Sequence, residues 1–157
     1  MPSRTPTDPY TLGMSLLARR ELSEMQLRER FRKRKFETQA IEAALESLRR
    51  EGALDDRRTA FAYARTSVRL TVRGRRRILQ EIVARGIDDE TAREAVDAAF
   101  ADVDEAEVLS RALAKRLDGP IRDAAHLRRL HRSLRQQGFP TSLIIPALAA
   151  QPTDIEE

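Results

Sequence analysis

The sequence predicts an all-α chain built from three tandem three-helix repeats. A recurring spacing is the first observation behind this. Leu27, Phe31 and Phe36 stand four and then five residues apart, as do Ile78, Ile82 and Ile87, and Leu130, Leu134 and Phe139. Each set is followed, five and nine positions past its last member, by an apolar pair: Ile41 and Leu45, Ala92 and Val96, Ile144 and Leu148. A spacing kept while residue types drift reads as one helical unit made three times. The second observation is composition: Ala, Arg, Leu and Glu, all strong helix formers, are abundant, while Pro and Gly sit at the edges of periodic segments. Third, no segment alternates with a period of two over a useful length, so no strand is predicted.

The first unit spans residues 8–53. Asp8-Pro9 predicts a helix start, because the carboxylate accepts from free N–H groups and proline at the first helical position loses no bond. That helix carries Tyr10, Met14, Leu16 and Leu17. Ser23-Glu24-Met25-Gln26 reads as a capping box that opens the second helix. Thr38 is the expected cap of the third, which ends near Gly52 in a left-handed turn.

The second unit spans residues 54–102. Asp55 or Asp56 caps a helix carrying Ala60, Phe61, Ala64 and Val68, and Gly74 breaks it. A second helix runs from Arg75 to Arg85 and closes at Gly86; Asp88 caps a third with Ala92, Val96, Ala99 and Phe100. The third unit spans residues 103–151 and starts around Asp104, with Val108, Leu109, Ala112 and Leu113 on one face. Gly119-Pro120 ends that helix, Asp123 caps the next as far as Gly138, and Thr141 caps the last. Pro146 removes a backbone donor inside it, so a short, kinked or displaced helix is expected. Residues 1–7 and 152–157 are expected as flexible tails.

At 157 residues the chain can bury a sizeable core. It has no Cys, which excludes disulfides and Cys-based zinc sites. The N-terminus lacks the apolar stretch of a signal peptide, and the run Leu143 to Ala150 is too short to span a membrane. A soluble, cytoplasmic monomer is expected.

Charged residues make up 34% of the chain, with a net charge of +4. The arginines gather on the second helix of each unit, as Arg28, Arg30 and Arg32, as Arg75, Arg76 and Arg77, and as Arg128, Arg129, Arg132 and Arg135. One charged helix face is ordinarily just solvated. The same bias at three equivalent places points to a shared anionic partner, and guanidinium suits bidentate contact with phosphate or carboxylate. The acids from Asp88 to Glu107 read as caps and dipole partners rather than as a metal site. His126 and His131 are five apart, which does not bring them to one face, and read as partly exposed helix residues. Neither a G-x-S-x-G elbow nor a G-x-x-x-x-G-K-[ST] loop is present, and no residue calls for catalysis, a cofactor or a metal.

The stretch from Leu54-Asp55-Asp56 through Arg57-Arg58-Thr59-Ala60-Phe61-Ala62-Tyr63 resembles the RecX regulatory proteins, modulators of the bacterial recombinase RecA. The resemblance continues through Arg73-Gly74-Arg75-Arg76-Arg77-Ile78 to Ile82 and Arg85-Gly86-Ile87-Asp88, and in the first unit through Ala18 to Glu24 and Leu27. Asp56, Gly74, Ile78, Ile82 and Gly86 carry the structural motif. Many members have Pro after the central Gly and an aromatic nearby, whereas Arg75 follows Gly74 here and Thr71-Val72 precedes it. Gly119-Pro120 and Pro146 set the third unit apart.

The resemblance implies three tandem three-helix repeats in an extended, curved arrangement. It implies binding along the groove of a RecA filament on single-stranded DNA, with suppression of ATP hydrolysis and strand exchange, and so modulation of recombination and the SOS response. It carries no catalytic residues. Arg73, Arg75, Arg76 and Arg77, flanking Gly74, are the first candidates to contact RecA or DNA phosphate. Arg28, Arg32, Arg128 and Arg132 are their candidates in the flanking units. Neutralising Arg75, Arg76 and Arg77 is expected to leave stability nearly intact. A stand-alone nucleic-acid-binding module is the alternative, because a three-helix unit with a basic helix resembles helix-turn-helix architecture. A helical adaptor for an acidic protein is a third reading.

Overall fold

An aspartate opens five helices by accepting a first-turn N–H: Asp8 from Thr11, Asp55 from Arg58, Asp88 from Thr91, Asp104 from Ala106 and Asp123 from His126. The computed structural model describes residues 8–155. Among the described residues there are nine helices: α1 (Pro9–Leu17), α2 (Glu24–Lys33), α3 (Thr38–Arg50), α4 (Asp56–Leu70), α5 (Arg75–Val83), α6 (Asp89–Ala99), α7 (Glu105–Ala114), α8 (Ala124–Gln136) and α9 (Thr141–Ala149). Ser23 and Gln26 form the expected capping box. Thr38 and Thr141 are instead the first helical residues, behind Glu37 and Pro140, which take the extended cap conformation without a side-chain bond. Pro146 is accommodated inside α9, which runs nine residues.

The extensive helix–helix contacts fall within three triplets, α1–α3, α4–α6 and α7–α9. The architecture is therefore all-α, in tandem three-helix units. The recurring apolar positions point inward: Leu27, Phe31, Ile78, Ile82, Leu134 and Ile144 are fully buried. Phe36 is half-buried and meets Phe31 edge-on, ring centroids 6.2 Å apart. One core gathers the first unit around Leu27, Phe31, Leu45 and Leu48. A second runs without a break from Ala60 and Ile82 in the second unit to Leu134 and Ile144 in the third.

Each of the three sets has a left-handed residue just before its last apolar member: Lys35 (φ 60°), Gly86 (φ 81°) and Gly138 (φ 97°). Where another unit packs on that position, it is glycine. A Cβ on Gly86 would lie 2.6 Å from Met25 Cβ, and one on Gly138 would overlap the Arg77 backbone.

Both junctions dock the start of one unit's second helix onto the next unit. Across the first, the Ser23 hydroxyl donates to the Arg85 carbonyl at 2.5 Å, and Glu24 N–H donates to Asp56 Oδ1 at 2.8 Å. Across the second, Gly74 N–H donates to the Gln137 carbonyl at 2.8 Å, and Arg75 N–H donates to Glu105 Oε1 at 3.0 Å. Ser23 and Gly74 are both N-caps, and Asp56 and Glu105 both begin the first helix of their units.

The segment after α9 differs from the expected free tail. Ile121 N–H donates to the Pro152 carbonyl and Asp154 N–H donates to the Ile121 carbonyl, each at 2.9 Å, in a parallel bridge between Ile121 and Thr153. The expected tail residues 1–7 and 156–157 lie outside the described residues.

Candidate anion-binding groove

Arg73, just before α5, and Arg77, on it, converge on one acid. Arg77 is four residues before Glu81 on the same helix face, and its Nε donates to Glu81 Oε1 at 2.8 Å. Arg73 reaches Glu81 Oε2 at 2.8 Å, and the Tyr63 hydroxyl donates to that same oxygen. Burial raises the Glu81 pKa, but the Tyr63 hydroxyl and the two guanidiniums outweigh it, and the carboxyl ends below its ordinary value. Arg77 also donates to the Gln136 carbonyl at 3.0 Å, across the junction. Arg75 pairs with Asp97 and lies over the Phe100 ring, its guanidinium carbon 5.2 Å from the centroid.

Three of the four arginines around Gly74 are thus engaged by partners within the chain. Neutralising Arg75 or Arg77 would remove these contacts, which are partly exposed and so contribute little to stability. Arg76 differs. It is exposed, and it lines an open groove of about 580 Å³ between α5 and α8 with Gln80, Arg128, His131, Arg132, Arg135 and Gln136. The structure therefore brings together Arg76, Arg128 and Arg132 from the sequence candidates and adds Arg135. No carboxylate is among the described residues lining the groove.

The first-unit candidates lie elsewhere. Arg28 is bound bidentately to Glu42, Nε to Oε1 at 2.9 Å and Nη2 to Oε2 at 3.1 Å, which raises its already high pKa. Arg32 is exposed on α2 and forms no ion pair among the described residues.

The motif residues are structural. Ile78 and Ile82 are fully buried. Asp56 bonds the Glu24 amide across the junction. Its pKa is raised, chiefly by burial and then by the charges of Glu24, Asp55 and Asp88, against the lowering effect of the Glu24 N–H. Gly74 has φ −79°, open to any residue. A Cβ there would lie 2.6 Å from the Gly138 carbonyl oxygen, so close approach explains the glycine better than a turn does.

His126 is buried rather than partly exposed, at 8% accessibility. Its Nδ1 accepts the Arg122 N–H at 3.2 Å. His131 is half-buried and borders the arginine groove. Among the described residues, no group of three or more His, Cys, Asp or Glu converges as a metal ion would require.

Known proteins are similar to this chain in sequence and fold. A family model of the first three-helix domain of RecX matches residues 10–48, and one of the second matches residues 55–96. The regulatory protein RecX of Chromohalobacter salexigens is 34% identical over 145 residues, covering 92% of this chain and 91% of its own. That of Treponema pallidum (strain Nichols) is 34% identical over 143 residues, covering 89% of this chain and 83% of its own. The crystal structure of RecX from Lactobacillus salivarius superposes with a TM-score of 0.71 at 20% identity, over 90% of this chain and 92% of that one, and shows the same fold. With both domain models placed on its first two units and relatives matching over most of its length, the chain belongs to the RecX family of regulatory proteins.

Proposed function

We propose that this chain is a non-enzymatic regulator that binds the RecA filament on single-stranded DNA and inhibits its ATPase and strand-exchange activities. One observation supports it beyond family membership. Arg76, Arg128, Arg132 and Arg135 face one groove without a lining carboxylate to neutralise them. Such a cluster attracts carboxylates or phosphates and holds them by forked hydrogen bonds. The groove crosses from α5 to α8, so the merged core of the second and third units fixes its geometry. Other contacts along the chain would add to it through effective concentration. The proposed regulator acts in the cytoplasm, as a monomer, and modulates recombination and the SOS response through RecA. No helix among the described residues is long and apolar enough to cross a membrane.

The test is RecA ATPase on single-stranded DNA. Stoichiometric addition of the chain is expected to suppress hydrolysis. The double change Arg76→Ala with Arg132→Ala is expected to weaken inhibition while moving stability by no more than about 0.5 kcal/mol per site, as for surface positions generally. Lack of inhibition by the unaltered chain rejects the reading. Direct DNA binding is the second reading, because the same guanidiniums suit phosphate. It requires duplex affinity without RecA and a log–log salt slope of about −0.9 per phosphate contacted.

A further inference from the structure

We infer that the third unit carries a docking site for an acidic polypeptide segment bearing an aliphatic anchor. The inference rests on reading the neighbouring arginine groove as the partner face. A second open groove, of about 550 Å³, lies between α8, α9 and the segment after α9. Ile121, Leu127, His131, Ile145 and Ile155 line it. Ile145 is 57% exposed and Ile155 39%, so large aliphatic groups meet water around one opening.

The repeat register marks this opening as a departure. The core positions Ile41, Ala92 and Ile144 are equivalent, and the residues that follow them are Glu42, Arg93 and Ile145. In the first unit Glu42 binds Arg28, whose counterpart in the third is His131. A pair that closes as an ion pair in one unit is thus His131 and Ile145, with no ion pair between them, in the other.

The opening is also shaped. The two hydrogen bonds between Ile121 and the Pro152–Asp154 segment hold one wall in place. The N-cap register of the earlier units also changes here. Ser23 and Gly74, which dock a following unit, are N-caps, but their counterpart His126 lies inside α8. Its N–H is already taken by Asp123 Oδ1 at 2.7 Å.

Charge and chemistry select the occupant. Arg128 and His131 border both grooves, so the aliphatic opening continues into the arginine groove. A segment lying along α8 meets guanidiniums on its α5 side and isoleucines on its α9 side. Neither groove is lined by Phe, Tyr or Trp among the described residues, so neither offers the stacking platform that nucleic-acid bases use. Aliphatic side chains next to carboxylates fit it, and both occur together on polypeptides.

Fluorescence anisotropy tests this without RecA. The probes are a labelled peptide Glu-Glu-Glu-Leu-Ile-Leu, its serine counterpart Glu-Glu-Glu-Ser-Ser-Ser, and an oligothymidylate. The aliphatic peptide is expected to bind about tenfold tighter than the serine peptide, the effect of burying roughly one aliphatic side chain. Ile145→Gln is expected to abolish that difference and leave the serine peptide's affinity unchanged. Equal binding of the two peptides overturns the inference, as does oligothymidylate binding that is tighter and depends on Ile145. Self-association of the chain, lost in Ile145→Gln, also overturns it, by making a second copy the occupant. A chain that inhibits RecA but does not discriminate the peptides loses this inference alone. One that discriminates them but does not inhibit RecA loses only the proposed function.

Discussion

At the first junction the Ser23 side chain reaches the Arg85 carbonyl; at the second, the Gly74 backbone reaches the Gln137 carbonyl from the same register. The supporting acids also match, Asp56 beside α2 and Glu105 beside α5. What lies behind these bonds does not match. The first unit's core takes in only Leu54 of the second, and beyond the Met25 side chain against Gly86 its further contacts with the second are polar, through Arg58 to Glu21 at 2.8 Å and Thr59 to Glu21 at 3.1 Å. The second and third units share one apolar core. Hydrogen bonds at a helix start can therefore set the docking register whether or not the cores merge. A merged core makes one cooperative body, whereas a polar seam lets a unit open on its own.

Gly138→Ala attacks the merged junction and carries the largest expected effect. The new methyl group would meet both a left-handed backbone and the Arg77 backbone. Strain and overpacking together are expected to cost about 2–6 kcal/mol. Chemical denaturation should show the second and third units losing stability together while the first keeps its own. A loss confined to α7–α9 would break the comparison. Next comes Ile82→Ala, which empties a fully buried position in the shared core. It is expected to cost about 2–5 kcal/mol, and amide exchange should accelerate in α7–α9 as well as in α4–α6.

The polar seam answers to Ser23→Ala. This removes the cap on Gln26 N–H and the bond to Arg85 across the junction. A cost of about 1–3 kcal/mol is expected. Amide exchange should rise in α1–α3 and change little in α7–α9. A uniform rise across the chain would show that the seam couples the units as firmly as the shared core does.

The inward face was legible because its period is local: Phe31, Ile82 and Leu134 are all fully buried, as their spacing predicts. So were the caps Asp8, Ser23, Asp88 and Asp123. Contacts distant in sequence were hidden. Gly74 reads as a helix breaker, and only the Gly138 carbonyl shows why a side chain is excluded. Arg77 to Glu81 is an i, i+4 pair visible in the sequence, but Arg75 to Asp97 and Arg77 to Gln136 are not. The arginine groove was half legible for the same reason. The basic helices were plain, and their meeting across the second junction depends on how Gly74 and Gly138 pack.

The smallest effect belongs to Asp56→Asn, which sharpens the view of the first junction. Asn can still accept the Glu24 N–H, so the docking bond survives. What changes is a carboxylate whose pKa is raised by burial and by Glu24, Asp55 and Asp88. A raised acid favours the neutral form in the folded state. Its contribution is fully present below the unfolded pKa and is lost as pH rises through the folded one. At neutral pH the ionised group therefore works against the junction, and Asn removes that penalty. Asp56→Asn should be more stable than the unaltered chain at pH 7 by less than about 1 kcal/mol, because a half-exposed charge is well screened. The advantage should vanish near pH 3, where Asp56 is protonated and resembles Asn. Paired denaturation curves at the two pH values decide it. A gain that persists in acid would trace to packing, and a loss at neutral pH would mean the ionised carboxylate strengthens the bond to Glu24 more than its acidic neighbours oppose it.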